Sequence, residues 1–277
     1  MDKQKICEKV TKSIYRVKAY QDDEIISVGS AFCFNDAGSL ITAAHVLDND
    51  KPFKENEIVE KNISFTAQRK NEIPALYKAN ICGIKIDWPD GPVNQIIIDL
   101  AMLSPKEPKQ NVPYLNINMD KRFIGQEVIM AGFPDEIEFP LLLDKKLNRE
   151  YLKDKQSDTE IDDNLDQLQS LLLMQKSGMI GFTDDIIIDP GLRDDFKLIV
   201  GVDYIDNVMH SGASGGPVVN ENGEVIGVVS KRAVTKVSSS NKAIPTHEVP
   251  SGSTLSISPR TIIDFTNYMI SKGNYSK

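Results

Sequence analysis

The chain alternates between short runs of β-forming residues and turn-forming punctuation, and this rhythm limits its fold more than any other feature. SIYRVKAY (13–20), EIISVGSAFCFN (24–35), SLITAAHVL (39–47), NISFTAQ (62–68), ANICGIKI (79–86) and NQIIIDLAML (94–103) come first. QEVIMAGF (126–133), DDIIID (184–189), FKLIVGVDYI (196–205), GPVVN (216–220) and EVIGVVSK (224–231) follow. Runs of this length, rich in Val and Ile and bounded by Gly, Pro, Asn and Asp, predict an all-β barrel or sandwich pair. NDAG (35–38) and NENG (220–223) have the composition of hairpin turns. At 277 residues the chain is long for one compact core, so two units are expected. The stretch PKEPKQNVPYLNINMDK, rich in Pro, Asn and Lys, sets their boundary near 112–122, giving units 1–118 and 119–277.

Three segments read as helical. Residues 2–12 carry Ile6 and Val10 four apart. Residues 157–176 open with a capping box, Ser157 and Glu160, and continue with Ile161, Leu165, Leu168 and Leu172 on one helical face. Gly178 suits a helix stop, and 141–178 reads as a charged helical insertion in the second unit. Ser258-Pro259 starts a C-terminal helix at about 259–272, with Ile262, Phe265 and Met269 as its apolar stripe.

Composition narrows the function classes. The net charge is −8, with 32 basic against 40 acidic residues, which speaks against a nucleic-acid-binding surface. The N-terminus has charges throughout and lacks the apolar core of a secretory signal, and no run of apolar residues is long enough for a membrane span. Cys7, Cys33 and Cys82 are odd in number and lack C-x-x-C spacing, which predicts free thiols in a reducing cytoplasm. The three histidines cluster with no cysteine, so neither a metal nor another cofactor is expected.

The chemistry concentrates in SGASGGPVVNENG (211–223). Gly212-Ala213-Ser214-Gly215-Gly216 matches G-x-S-x-G, the strand-to-helix elbow of α/β-hydrolases. That arrangement needs a helix directly after the serine and a histidine late in the chain. Pro217-Val218-Val219 and the Asn222-Gly223 turn supply no helix, and only His247 follows, in a Pro-flanked loop. The order histidine, aspartate, serine fits better. His45 closes an apolar strand in LITAAHVL, and Asp99 follows three isoleucines in NQIIIDLAML. Those flanks bury a carboxylate, which then demands a hydrogen-bonding partner, and an imidazole N–H is a natural one. Asp87 in IKIDWPDG is the rival acid, although its sequel reads as a turn.

TAAHV, IIIDLAML and GASGGP, in that order, resemble the three triad segments of chymotrypsin-fold serine peptidases, closest to bacterial trypsin-like and HtrA-type protease domains. The resemblance extends over VGSAFCFNDAGSLITAAHV (28–46), IGQEVIMAGFP (124–134) and GEVIGVVS (223–230), reaching most of residues 13–232. It implies two six-stranded antiparallel β-barrels with the site between them. His45 and Asp99 would come from the first barrel and the nucleophile Ser214 from the second. The backbone N–H groups of Gly212 and Ser214 would form the oxyanion hole.

The resemblance also implies a substrate pocket on Val208, Met209 and His210, with a far wall on Val229, Ser230, Lys231 and Arg232. Ser230 would lean on the catalytic aspartate, and Arg232 would narrow the pocket. An apolar or small uncharged residue is therefore expected before the scissile bond. Secreted relatives carry a cysteine after the histidine, where this chain has Val46, so the family disulfide cannot form. Ala213 stands where trypsin-type zymogens have an aspartate, so activation by a newly cut N-terminus is not expected. No PDZ-sized module is expected after residue 232. Control is expected from loop ordering, from the 141–178 insertion or from a separate regulatory or sensor protein, with a protein or peptide as substrate. The alternative is a catalytically silent binding or scaffold protein on the same fold.

Overall fold

The computed structural model describes residues 2–47, 62–87, 95–135, 172–189, 197–237 and 247–271. Helix α1 (Lys3–Ser13) leads into β1 (Ile14–Gln21), β2 (Glu24–Cys33), β3 (Leu40–Thr42), β4 (Ile63–Gln68) and β5 (Ala75–Ile81). A separate two-stranded sheet, β6 (Ile84–Asp87) with β7 (Gln95–Ile98), precedes β8 (Ala101–Pro105). The first barrel closes in the order β1-β2-β3-β8-β5-β4. The chain continues through β9 (Glu127–Gly132), β10 (Met174–Ile188), β11 (Leu198–Ile205), β12 (Pro217–Val219), β13 (Val225–Val237) and β14 (His247–Ile257) to helix α2 (Arg260–Ser271). These strands close a second barrel, β10-β11-β14-β13-β12-β9. The all-β, chymotrypsin-like architecture expected from the sequence is therefore present.

Strand pleating explains how two barrels share one hydrophobic layer. On β2, Ala31 and Cys33 point into the first barrel, whereas Phe32 between them points outward into a second cluster. On β9, Val128 and Met130 fill the second barrel, while Ile129 and Ala131 join that same outer cluster. Alternate residues therefore reach opposite faces, and both faces are apolar because both are covered. Helix α1 precedes the first barrel in sequence yet also touches the second. Ile6 and Val10 join the shared cluster, Lys9 Nζ donates to the Gly223 carbonyl, and Gln175 donates to Cys7 O and Thr11 Oγ1.

Several sequence expectations need correction. Residues 157–171 of the expected helix lie outside the described residues, but Met174–Lys176 are strand, and Gly178 sits inside β10 opposite Val128 instead of stopping a helix. Pairing with β9 closes the barrel here, and that ladder outweighs the local helical spacing. The insertion therefore cannot run to 178. DDIIID is only the end of a strand that starts at Met174. SLITAAHVL is strand only to Thr42, and ANICGIKI and NQIIIDLAML each divide into two strands. β14 was not anticipated, because the segment around His247 reads as a Pro-flanked loop. Pro250 opposes Val234 beside a register shift, a position that a ladder tolerates. NDAG and NENG do form turns, with Gly38 N–H on Asn35 O and Gly223 N–H on Asn220 O.

Candidate active site

His45 is positioned by its neighbours. After β3 the chain tightens into a single 3-10 turn, Ala44–Val46. Ala43, Ala44, Val46 and Leu47 are all buried, so the turn is pinned from within and His45 is left partly open to solvent. Asp99 lies in the bend between β7 and β8, flanked by buried Ile98 and Leu100. Its carboxylate accepts the His45 ring Nδ1–H at 2.9 Å, the His45 backbone N–H at 2.9 Å and the Ser230 hydroxyl at 2.5 Å. Burial alone would raise the Asp99 pKa. The hydrogen bond and charge of His45, then the Ser230 and backbone donors, outweigh burial and hold the carboxyl below its ordinary value. An ionised Asp99 fixes the proton on Nδ1, so Nε2 is the proton-accepting nitrogen.

Ser214 rides on a loop between β11 and β12 whose backbone is held on several sides. Gly215 N–H donates to Val229 O at 2.7 Å, Gly216 N–H to Ala213 O at 3.0 Å, and the Ser214 carbonyl accepts Ser30 N–H from β2 at 2.8 Å. Gly212 and Gly215 have φ of +81° and +84°, in the left-handed region. A Cβ on Gly212 would meet the Phe133 carbonyl and the Asp135 N–H, and one on Gly215 would run into Ser30 O and Thr42 Oγ1. These contacts explain the glycine spacing around the serine. The N–H groups of Gly212 and Ser214 find no acceptor among the described residues, so both remain available as donors.

His45, Ser214 and Gly212 line one cleft of ≈ 330 Å³, together with Ile25, Ile26, Ser27 and Val28 of β2 and with Asp135 and Ser211. The Ser214 hydroxyl donates to Ser230 O at 2.9 Å, so in this conformer it is turned toward β13. Such a set can move a proton from a hydroxyl to an imidazole and receive a developing negative charge on two amides. Among the described residues, no three His, Cys, Asp or Glu side chains gather as a metal site.

The expected pocket residues are less tightly gathered, and none of them lines this cleft. Met209 and Val229 are buried in the second barrel's core, Ser230 is the aspartate's partner, and Lys231 and Arg232 are exposed. Val208 and His210 are half-buried, and both are approached by a residue that the sequence had placed in a helix. Lys176 Nζ donates to Val208 O at 2.8 Å and lies 3.4 Å from His210 Nε2. Thr254 of the unanticipated β14 accepts Met209 N–H and donates to Asn207 O. Ser30 was also missed. Fully buried on β2, it donates to Gly212 O and accepts Phe133 N–H, both at 2.8 Å. Nothing local marks Ser30 or Lys176, because their partners lie far away in sequence.

Comparison with known proteins agrees with this geometry. The trypsin-like peptidase domain family matches residues 29–228, most of the chain. Among solved structures, the protein is similar to Rv3671c from M. tuberculosis. A serine-to-alanine mutant in an inactive form gives a TM-score of 0.51 at 14% identity, covering 98% of this chain and 93% of that one. The Rv3671c protease in an active form gives 0.51 at 14% identity, covering 93% and 81%. At that identity the likeness speaks for the fold alone. No curated protein matches. The family match over residues 29–228 decides the assignment: the chain belongs to the trypsin-like peptidases and is a chymotrypsin-fold serine endopeptidase.

Proposed function

We propose that the protein cleaves peptide bonds in protein substrates through a covalent intermediate on Ser214. His45 Nε2 takes the hydroxyl proton as Oγ attacks the scissile carbonyl, and the Gly212 and Ser214 N–H groups receive the carbonyl oxygen as it becomes negative. The imidazolium, stabilised by Asp99, then protonates the departing amine. His45 then takes a proton from a water that attacks the acyl carbon, and gives it to Ser214 Oγ as the acyl–oxygen bond breaks. The observation that carries this reading is that His45, braced by Asp99 at 2.9 Å, shares one cleft with Ser214 and with two uncommitted amides. The Ser214 hydroxyl must first leave the Ser230 carbonyl by a χ1 rotation.

The resting state supports control by loop ordering rather than by cutting. Residues 207–209 are fastened by Lys176 and Thr254, and Ala213 offers no aspartate to capture a new N-terminus. A separate sensor protein acting on this loop would set activity. The three free cysteines favour a reducing, cytoplasmic setting. An apolar or small residue before the scissile bond remains the proposed preference. The direct experiment is turnover of a peptide library. Ser214→Ala should lower kcat on the order of 10⁶-fold. Unchanged cleavage by that variant would reject the reading.

A further inference from the structure

We propose that Asp135 is the anionic wall of a subsite for the departing side of the substrate, and that this subsite takes a Lys or Arg side chain following the scissile bond. The inference rests on Ser214 being the nucleophile, because that role orients the cleft. The leaving amine must lie against His45, which gives it its proton. Substrate atoms beyond that amine therefore extend into the space that His45 shares with Ile25–Val28 of β2. Asp135 stands in the same space.

Two contacts hold Asp135 there. Its N–H donates to Ser211 O at 3.1 Å, and its carboxyl carbon would lie 3.0 Å from a Cβ on Gly212, so it fills the space that this glycine leaves bare. Its Oδ1 is shut off from solvent and has no hydrogen-bond partner among the described residues. A carboxylate oxygen that is dry and unpaired is costly, by far more than an exposed one, and natural sites answer that cost with a cation or a donor. The cleft offers it no cation, since its remaining lining has no Lys or Arg, and the two free amides, Gly212 and Ser214 N–H, are taken up by the carbonyl oxygen of the substrate. The missing partner must then arrive with the substrate.

The position also has a consequence for the reaction. The negative oxygen formed at the Gly212 and Ser214 amides would develop beside the Asp135 carboxylate, and like charges at this range oppose one another. A guanidinium or ammonium seated on Asp135 removes that opposition. A basic side chain therefore favours both binding and the chemical step, whereas an acidic one at the same place is rejected.

The test separates the subsite from the nucleophile assignment. Binding of the dipeptide amides Arg-Ala, citrulline-Ala and Glu-Ala is followed by NMR through the His45 ring protons of the full chain. Citrulline keeps the shape of arginine without its charge. The expected result is at least tenfold tighter binding of Arg-Ala than of citrulline-Ala, weakest binding of Glu-Ala, and loss of the arginine preference in Asp135→Asn. Equal binding of Arg-Ala and citrulline-Ala by the unaltered protein would overturn the proposal, as would an arginine preference that survives Asp135→Asn. Fluorophosphonate labelling is run in parallel. Labelling of Ser214 without an arginine preference rejects only the subsite. An arginine preference without labelling keeps the basic-side-chain site at Asp135 but rejects the nucleophile assignment and, with it, the site's place on the departing side.

Discussion

The Ser30 hydroxyl, on a strand of the first barrel, donates to the carbonyl of Gly212 in the second barrel at 2.8 Å. The same oxygen accepts Phe133 N–H, and the Ser30 backbone N–H holds the Ser214 carbonyl. One fully buried side chain thus joins the two barrels at the loop that carries the serine. The placement of the Gly212 and Ser214 backbone is a property of the contact between barrels, not of the glycine-rich segment alone.

Ser30→Ala removes that joint and leaves the Phe133 N–H and Gly212 C=O buried without partners. A loss of roughly 1–3 kcal/mol in folding stability is expected. Fluorophosphonate labelling should slow as well, because the Gly212 N–H loses its alignment. Denaturant midpoints and labelling rates measure the two effects. Wild-type values for both would show that the joint carries nothing.

Lys176 holds the Val208 carbonyl and approaches His210. Hydrogen bonds from a charged donor contribute roughly 1.5–3 kcal/mol, so Lys176→Met should slow turnover by roughly tenfold or more. Lys176→Arg should restore part of it, since a guanidinium can reach the same carbonyl. Steady-state kinetics with one peptide substrate checks this. Equal rates for all three proteins would remove Lys176 from the account.

Asp99 is held ionised in the folded protein, so its sign of pH dependence is fixed. A carboxyl whose folded pKa is lowered contributes stability above its ordinary value, 3.8, and loses that contribution as pH falls through the lowered value. The wild-type protein should therefore lose stability on acidification below about pH 4, and Asp99→Asn should show a shallower loss over the same range. The asparagine variant should also turn over slower, by on the order of 10⁴-fold, as the imidazole proton loses its anchor. Denaturant melts across that window and kinetics near neutrality give both readouts.

The first barrel carries an opposite signature at alkaline pH. Tyr15 and Tyr77 meet edge-on inside it, with ring centroids 6.4 Å apart. Burial pushes the Tyr15 phenol from 10.0 up to about 12 and raises Tyr77 as well. A raised folded value means stability that is complete below pH 10 and lost as pH rises through about 12. A near-ultraviolet tyrosinate titration should show two phenols that ionise late, together with unfolding. Tyr15→Phe should weaken that alkaline loss.

What the sequence disclosed follows a physical divide. TAAHV and IIIDLAML were legible because burial of the flanks is a local property. Ala43, Ala44, Val46 and Leu47 pin His45, while Ile98 and Leu100 enclose Asp99. GASGGP was legible because only glycine meets the left-handed backbone at Gly212 and Gly215. The residues that went unseen act over distance. Ser30 meets Gly212 across 182 positions, and Lys176 meets Val208 across 32. β10 was misread at Met174–Gly178 because its strand character comes from pairing with β9, which no local spacing records. The pocket residues carried over by likeness, such as Arg232 on β13, do not line the cleft of His45 and Ser214, whose β2 wall no local pattern marks.

The central claim is that Ser214 is a nucleophile made reactive by His45. The most direct measurement is mass-spectrometric mapping of a fluorophosphonate adduct on the intact protein and on His45→Ala. The account predicts one adduct, on Ser214, that forms in the intact protein and is lost or greatly slowed in His45→Ala. An unlabelled Ser214 under conditions where the protein cleaves peptides, or labelling indifferent to His45, would contradict it.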